Sequence, residues 1–455
     1  MADEPSVSVL WFRRDLRLND HPALLASVAA GTTVLPVFVI DPSLLHEGTP
    51  RADRLLASLA SLSRDTRDNL VIRTGDPVEV VPELAAEVGA SQVHVTRETT
   101  PYGRRRDEAV EAALQAAGRQ LVATGTPYAV GPGIVVNQSG TPYKVFTPFS
   151  RAWREHGWPA PAERPTRIPW HHGVRSDDLP EPTSTERIEA GEQAALKRWE
   201  AFLTGDLDGY ARDRDRPDHD TTSRLSAPLK YGEIHPRTIL ADIAAHSAGG
   251  SKATHTFTNE LAWREFYADV LWQHPASAWH DLRPELERLE YDSGPETDAR
   301  VEAWKQGRTG YPIVDAGMRQ LLAEGFMHNR VRMITASFLT KDLHVWWPVG
   351  ARHFLDHLID GDIASNNHGW QWCAGTGTDA SPYFRVFNPI TQGTKFDPDG
   401  EYVRRWVPEL RHLKGRTAHE PWARKDGYEH DYPQRIVDHD AERKKTLSRY
   451  EAARR

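Results

Sequence analysis

The stretch DGDIASNNHGWQW, residues 360–372, sets Asp360, Asp362, Asn366, Asn367, Trp370 and Trp372 close together, with no cysteine, no recognisable serine nucleophile and no glycine-rich phosphate loop. Carboxylates and amides of this kind hold and polarise a bound group, and indoles stack on one or carry electrons. The segment alone leaves open what chemistry needs the three together. If the residues after Asp362 are helical, Asp362, Asn366 and Trp370 share one stripe, while Trp372 is turned away from Trp370 by about 200°. The two indoles then have different neighbours, one free to face a cofactor and the other a substrate.

Three further segments carry residues able to do chemistry. TTSRLSAPLKYGEIHP, from Thr221, sets Thr221, Thr222, Ser223 and Arg224 ahead of a helical segment, followed by Ser226. Hydroxyls, free backbone N–H groups and a guanidinium at a helix start make an anion site; they equally make an ordinary N-cap with a surface arginine. In TNELAWREFYADVL, Glu260, Trp263, Arg264 and Tyr267 fall at i, i+3, i+4 and i+7 and share a helical stripe. That stripe is either a solvated face with a Glu–Arg pair or the wall of a cavity. In HNRVRMITASFL, Asn329, Arg330, Arg332 and Met333 precede an apolar run; a buried Arg332 needs a partner, and Asp360 or Asp362 would serve. His353 and His357 stand i,i+4 beside Asp356 and Asp360, but no HExxH and no third ligand of suitable spacing follows, so no metal site is expected.

The elements that must position these residues fall into halves of different periodicity. Short β-rich apolar runs at 7–12, 33–40, 70–73, 92–96 and 120–123 alternate with helical patterns such as 52–64 and 104–118. This is the signature of βαβ units and a five-stranded parallel sheet covered on both faces. WFRRDLRLND stands after the first strand where a dinucleotide fold carries GxGxxG, so residues 1–128 are expected to form a Rossmann-like α/β domain without that site. Residues 129–195, broken by Pro159, Pro161, Pro165, Pro169, Pro180 and Pro182, read as a connector with one helix around 148–156. From 196 to 455 the periodicity is helical, which predicts an all-α domain.

Composition narrows the class. No apolar run reaches the roughly 18 residues of a membrane span, the start is acidic without a signal peptide, and Cys373 stands alone, which together describe a cytoplasmic protein without disulfides. The net charge is −8, yet arginines gather at 212–216 and 224, at 330–332 and in the C-terminal runs, so a local basic groove is compatible with the acidic total. Fifteen Trp against four Met is unusual, because Met is the usual filler of irregular core gaps. Most of these indoles are expected in the core and a few as stacking platforms or electron carriers.

In order along the chain, VLWFRRDLRLNDHPAL, TSRLS, NELAWREFY, GRTGYPIVDAGMRQL, MHNRVRMITASFLTKDL, IDGDIASNNHGWQW, TGTDASPYFRVFNP and WVPEL resemble the DNA photolyase/cryptochrome family. Among its members the chain looks like a class I cyclobutane pyrimidine dimer photolyase. The resemblance implies an α/β antenna-binding domain followed by a helical domain for FAD and DNA. The family's FAD positions match Tyr210, Thr222, Ser223, Arg224, Leu225, Ser226, Arg264, Asn329, Arg332, Asp360, Gly361, Asp362 and Asn366. Arg332 and Asp360 would pair beside the isoalloxazine, and Asn366 would sit near its N5. The implied reaction is light-driven: excited reduced FAD lends an electron to the dimer, the ring splits and the electron returns, so no protein nucleophile is called for.

By the same resemblance Glu260 hydrogen-bonds the lesion, Trp263 and Trp372 stack on its bases and Met333 packs near it, while Arg214, Asn329, Arg330 and Gln392 contact lesion or DNA. Flipping the target out of the duplex is a known property of photolyases as a class and comes with the resemblance. Trp370 and Trp347 match the inner and middle members of the family's electron-transfer chain. The outer position falls in LEYDSGPETDARVEAW and reads Tyr291 where Trp is expected; Tyr291, Trp304 and Trp346 all stay open as its end.

VIDPSLL with Asp41, then Arg51, and TPYGRRRD around Tyr102 look closer to members with an 8-hydroxy-5-deazaflavin antenna than to those with methenyltetrahydrofolate. Damaged DNA is the implied partner and a monomer the expected state. Two other activities occur in the family. Against a cryptochrome-type blue-light receptor stand Asn366, Trp263, Met333 and the lack of a long polar tail after WVPEL. A (6-4) photolyase would be expected to carry a histidine pair instead of MHNRVRM.

Overall fold

The computed structural model of the chain describes residues 6–183, 188–246, 250–286, 288–380, 382 and 384–454. The acidic start MADEP, and Ser381 and Tyr383 of the TGTDASPYFRVFNP motif, lie outside the described residues. Two compact units form: Met1–Tyr143 with Thr147–Asp208 and Ser223–Pro275, and Lys144–Phe146 with Gly209–Thr222 and Ala276–Arg455.

In the first unit, β1 (Val7–Phe12), β2 (Thr33–Ile40), β3 (Val71–Thr74), β4 (Gln92–Val95) and β5 (Gln120–Ala123) make one sheet in the order β3-β2-β1-β4-β5. Every pairing is parallel, with Val7 opposite Thr33 and Phe12 opposite Phe38. β1 and β2 are buried along nearly their whole length, as parallel strands covered on both faces must be. Pro36 sits inside β2 without breaking it. Val34 N donates sideways to Pro169 O, and by the two-residue period Pro36 N points the same way, where β3, paired only with Val37–Ile40, has not begun.

The helices Pro22–Ala30, Pro50–Asp65, Pro77–Glu87 and Pro101–Ala116 each open on proline behind His21, Thr49, Asp76 or Thr100, whose side chain accepts a first-turn N–H. Proline supplies a pre-set φ where its missing N–H costs nothing, and the cap satisfies one of the remaining donors.

The strand order reverses between β1 and β4, the place where α/β sheets usually bind ligands. Here the chain's own charged side chains line it. Asp15 accepts from Arg13 N at 2.7 Å and Thr96 Oγ1 at 2.5 Å, and Arg13 reaches Thr96 O and Asp107. The WFRRDLRL motif thus lines with charged side chains the crevice that GxGxxG would leave to a phosphate. The segment 129–195 carries the helix Phe146–His156, close to the expected one, and Trp170 bridges to Val34 beside β2.

The second unit is helical. Pro312–Glu324, Asn329–Ser337, Trp347–His357, Ile363–Ala374 and Glu401–Trp406 surround a core containing Trp304, Tyr311, Met318, Met327, Phe338, Trp347, Phe354, Trp370 and Tyr402. Met318 and Met327 fill this core and Met333 lies half-buried at its edge. No helix among the described residues is long and apolar enough to cross a membrane.

Candidate functional site

Asp362 caps the helix Ile363–Ala374 by accepting from Ser365 N at 3.0 Å. The cap fixes where the helix starts, and the stripe follows: Asn366 half-buried one turn on, Trp370 buried two turns on, and Trp372 half-buried on another face. Two residues before the cap, next to the buried Gly361, the Asp360 side chain is 2% exposed, and Arg332 Nη2 donates to its Oδ2 at 2.8 Å. Of the two carboxylates open to Arg332, then, Asp360 is the partner. Arg332 Nε also donates to Met327 O at 2.7 Å, which holds the guanidinium from a second side.

One atom of this arrangement is incomplete. Asp360 Oδ1 is buried and has no hydrogen-bond partner among the described residues. An unsatisfied buried acceptor costs on the order of 1–3 kcal/mol. The site therefore favours a ligand that brings an N–H or O–H to Asp360. Asn366 is oriented in the complementary sense: its Nδ2 donates to Ala351 O at 3.1 Å and Asn367 Oδ1 at 2.8 Å, which leaves Oδ1 as the atom able to accept from a ligand.

Trp370 lies edge-on to Phe354, ring centroids 4.9 Å apart, and to Trp304 at 6.0 Å. A side chain at Gly350 would meet its ring at 2.2 Å, so that glycine is what lets the Trp347–His357 helix close against the indole. Trp347 is fully buried and donates from Nε1 to Asp281 Oδ1 at 2.7 Å. The His353 and His357 rings lie 4.3 Å apart, tilted by 45°, and among the described residues no group of three or more His, Cys, Asp or Glu could hold a metal.

Tyr210 is 9% exposed, with the Arg214 guanidinium 5.7 Å from its ring centroid. Asn329 is exposed at the start of its helix, and Arg330 is half-buried over the Phe396 ring at 4.6 Å, on the short helix that also carries Gln392. Arg330 Nη2 donates to Asp215 at 2.9 Å, while Arg212 pairs with Asp213 and Arg216 with Asp218. The basic cluster seen in sequence is interleaved with carboxylates. If Arg330 contacts DNA as the resemblance implies, Asp215→Asn is expected to free it for a phosphate: DNA affinity at low salt rises about two- to fivefold, and the slope of log K against log salt steepens by about one. A titration by fluorescence anisotropy reads both, and an unchanged slope removes Arg330 from the phosphate contacts.

In the other unit, Glu260, Trp263, Arg264 and Tyr267 are all half-buried along the helix Lys252–Gln273, between buried Leu261, Ala262 and Phe266. Trp263 packs at 5.3 Å from Tyr267. Arg264 donates to Pro127 O at 2.9 Å and Leu229 O at 3.1 Å and lies 4.3 Å from the Tyr128 ring centroid. Its guanidinium fastens two distant backbone segments. Arg224 adopts a left-handed φ of 49°, and the helix that follows, Ser226–Tyr231, has Leu225 at its cap with no side-chain cap bond. Ser223 Oγ accepts from Leu225 N at 3.4 Å instead, so the segment is not an ordinary N-cap, and Arg224 holds a conformation that non-glycine residues rarely adopt.

At the sheet end of the same unit, Ser43 Oγ donates to Asp41 Oδ1 at 2.6 Å and Tyr102 donates to Oδ2. Burial raises the Asp41 pKa, but these hydrogen bonds and the Arg106 guanidinium outweigh it and hold the carboxyl below its usual range. Arg13 and Arg106 lie 4.7 and 4.9 Å from the Trp11 ring centroid, and Arg51 Nε is buried without a partner among the described residues.

Three further carboxylates hold donors of their own unit. Glu265 is buried, accepts from Trp153 Nε1 at 2.8 Å and from the backbone of Val130 and Gly131 at 3.3 Å, and burial pushes its pKa up despite those donors. Asp269, one turn on, accepts from Gly133 N at 2.7 Å. Their i,i+4 spacing on an otherwise apolar face was the available signal. Asp281, which holds Trp347, gave none.

Comparison with known proteins shows the family of the chain. The chain matches the sequence model of DNA photolyase over residues 8–166 and that of the FAD binding domain of DNA photolyase over residues 257–452. It is 41% identical to the deoxyribodipyrimidine photo-lyase of Escherichia coli (strain K12), covering 98% of this chain and 99% of that one. To the deoxyribodipyrimidine photo-lyase of Streptomyces griseus it is 40% identical over 95% and 96% of the two chains. The crystal structure of a bacterial class III photolyase from Agrobacterium tumefaciens superposes with a TM-score of 0.93 at 37% identity, covering 100% of this chain and 98% of that one. With a parallel α/β unit, a helical unit and full-length relatives at this identity, the chain belongs to the DNA photolyase family.

Proposed function

We propose that this protein repairs cyclobutane pyrimidine dimers in DNA by light-driven electron transfer, in the cytoplasm and as a monomer. The observation that carries the reading is the full-length identity to deoxyribodipyrimidine photo-lyases, coupled to the Arg332–Asp360 pair with its incomplete oxygen. FAD fits the residues present: Asp360 Oδ1 would accept from an N–H of the isoalloxazine edge, Asn366 Oδ1 from N5–H, and Arg332 would sit beside the ring as a fixed positive charge. Bound in its reduced form, FAD supplies the light-driven electron. Tyr210, Thr222 through Ser226, Arg264, Asn329, Gly361 and Asp362 would complete its binding.

The protein's part is to bind, orient and exclude water. Glu260 would hydrogen-bond the dimer, Trp263 and Trp372 would stack on its bases, Met333 would pack beside it, and Arg214, Asn329, Arg330 and Gln392 would hold the DNA. Stacking and a charge-assisted hydrogen bond recognise the lesion without a covalent step. Glu260→Ala is expected to weaken binding of a dimer-containing oligonucleotide about 10- to 100-fold, the loss of one hydrogen bond to a charged group, while undamaged duplex changes less than about twofold. Equal losses on both would remove Glu260 from the lesion.

For the antenna, the Asp41–Tyr102–Ser43 network, the unpartnered Arg51 Nε and the two guanidiniums beside Trp11 fit the anionic, hydroxyl-bearing ring of 8-hydroxy-5-deazaflavin. Reconstitution with the deazaflavin is expected to add its absorption band and to extend the action spectrum of repair, and Asp41→Ala to abolish both. Uptake of methenyltetrahydrofolate in its place would overturn this assignment.

A further inference from the structure

We propose that Trp346 is the outermost electron carrier of this chain, and that Asp281 is the positioning residue that couples it to Trp347. This rests on the reading of Trp370 and Trp347 as inner and middle carriers. The geometry is local and specific. A single carboxylate accepts from both indoles, from Trp347 Nε1 at 2.7 Å on Oδ1 and from Trp346 Nε1 at 3.4 Å on Oδ2, and the two rings stand 6.5 Å apart at 66°. Trp347 is fully buried, while Trp346 is half-buried and lines a cavity of about 420 Å³ with Tyr291, Asp298, Glu302 and Lys305 around it. The step from Trp347 to Trp346 is therefore a step from the core to a place that a soluble reductant can reach.

The two other candidates lack what the role needs. Trp304 is fully buried, donates to Thr335 O at 3.1 Å and stacks on Phe354, so a hole arriving there would remain inside the core. Tyr291 stands at the sequence position where the family has its outer tryptophan. Oxidation of a phenol requires loss of its proton, and Tyr291 Oη is buried with no hydrogen-bond partner among the described residues to receive it. Burial and the negative charge of Asp281 push its pKa upward as well. The same carboxylate favours a positive charge on either indole and offers Trp346 a proton acceptor.

Trp346 gives one electron to the one-electron-oxidised Trp347, which returns to the neutral indole. The Trp346 radical cation passes its Nε1 proton to the Asp281 carboxylate. A thiolate entering the cavity then gives one electron to the neutral Trp346 radical and the proton returns from Asp281; the thiyl radicals of two such events pair as a disulfide.

Flash photolysis of the flavin-loaded protein tests this through the lifetime and spectrum of the tryptophan radical. Trp346→Phe is expected to lower the yield of long-lived radical by about tenfold or more, and Tyr291→Phe to leave it within about twofold. Asp281→Asn keeps an acceptor but removes the charge and the base, so the surviving radical should show the spectrum of the indole radical cation instead of the neutral indolyl radical. Loss of the long-lived radical in Tyr291→Phe, with Trp346→Phe unaffected, overturns the assignment. Trp347→Phe serves as the control: if it too keeps the long-lived radical, the inner and middle assignment fails and not merely the outer one. Electron paramagnetic resonance of the radical frozen in the unsubstituted protein needs no variant, and a tyrosyl signal there would equally overturn the proposal.

Discussion

Arg332→Ala is expected to yield a protein that purifies without flavin and unfolds at lower temperature. Asp360 has a side chain only 2% exposed, and Arg332 is the partner that donates to it. Removing one member of a buried pair leaves an uncompensated carboxylate and costs about 3–5 kcal/mol. The same change removes the cation expected beside the isoalloxazine, so cofactor retention and folding fall together. Arg332→Lys separates the two: it restores the charge but cannot also reach Met327 O in the fork geometry of a guanidinium, so stability should recover more than flavin occupancy. The ratio of flavin to protein absorbance and a thermal melt measure both effects. Full flavin content in Arg332→Ala would contradict the assignment.

Trp347→Phe has the second largest expected effect, on a different quantity. Trp347 is buried in the helical core, linked to Asp281 and three residues ahead of Gly350, against which Trp370 packs. Phenylalanine fills most of the space but is far harder to oxidise, so photoreduction of the bound flavin by an external thiol should slow about tenfold or more. Repair by protein reduced chemically beforehand should persist, because the dimer is not reached through Trp347. Undiminished photoreduction in this variant would remove Trp347 from the route.

The fold was legible because its central strands are buried on both faces: continuous apolar runs such as VSVLWF and TVLPVFVI cannot be read as solvated elements, and the turns around them carry the caps and prolines that start helices. The helical stripe of 360–372 was legible for a similar reason, since one capping aspartate fixes the phase of every residue after it. What local spacing could not give were partners far apart in the chain. Arg332 had two carboxylates to choose from, and the choice followed only once Asp362 was seen to cap its own helix. Arg264, at pair spacing from Glu260, reaches instead to the carbonyls of Pro127 and Leu229. Asp281 stands 66 positions before Trp347, in a segment without periodicity, and no pattern in the sequence links the two.

The central claim, that this chain uses light to reverse cyclobutane pyrimidine dimers, is tested most directly by irradiating the reduced, flavin-loaded protein with blue light on two oligonucleotides, one carrying a cyclobutane dimer and one a (6-4) photoproduct, and separating the products by chromatography. The account predicts recovery of intact pyrimidines from the cyclobutane dimer in the light, none in the dark and none from the (6-4) photoproduct. A cyclobutane dimer left unrepaired by illuminated, flavin-replete protein would contradict it.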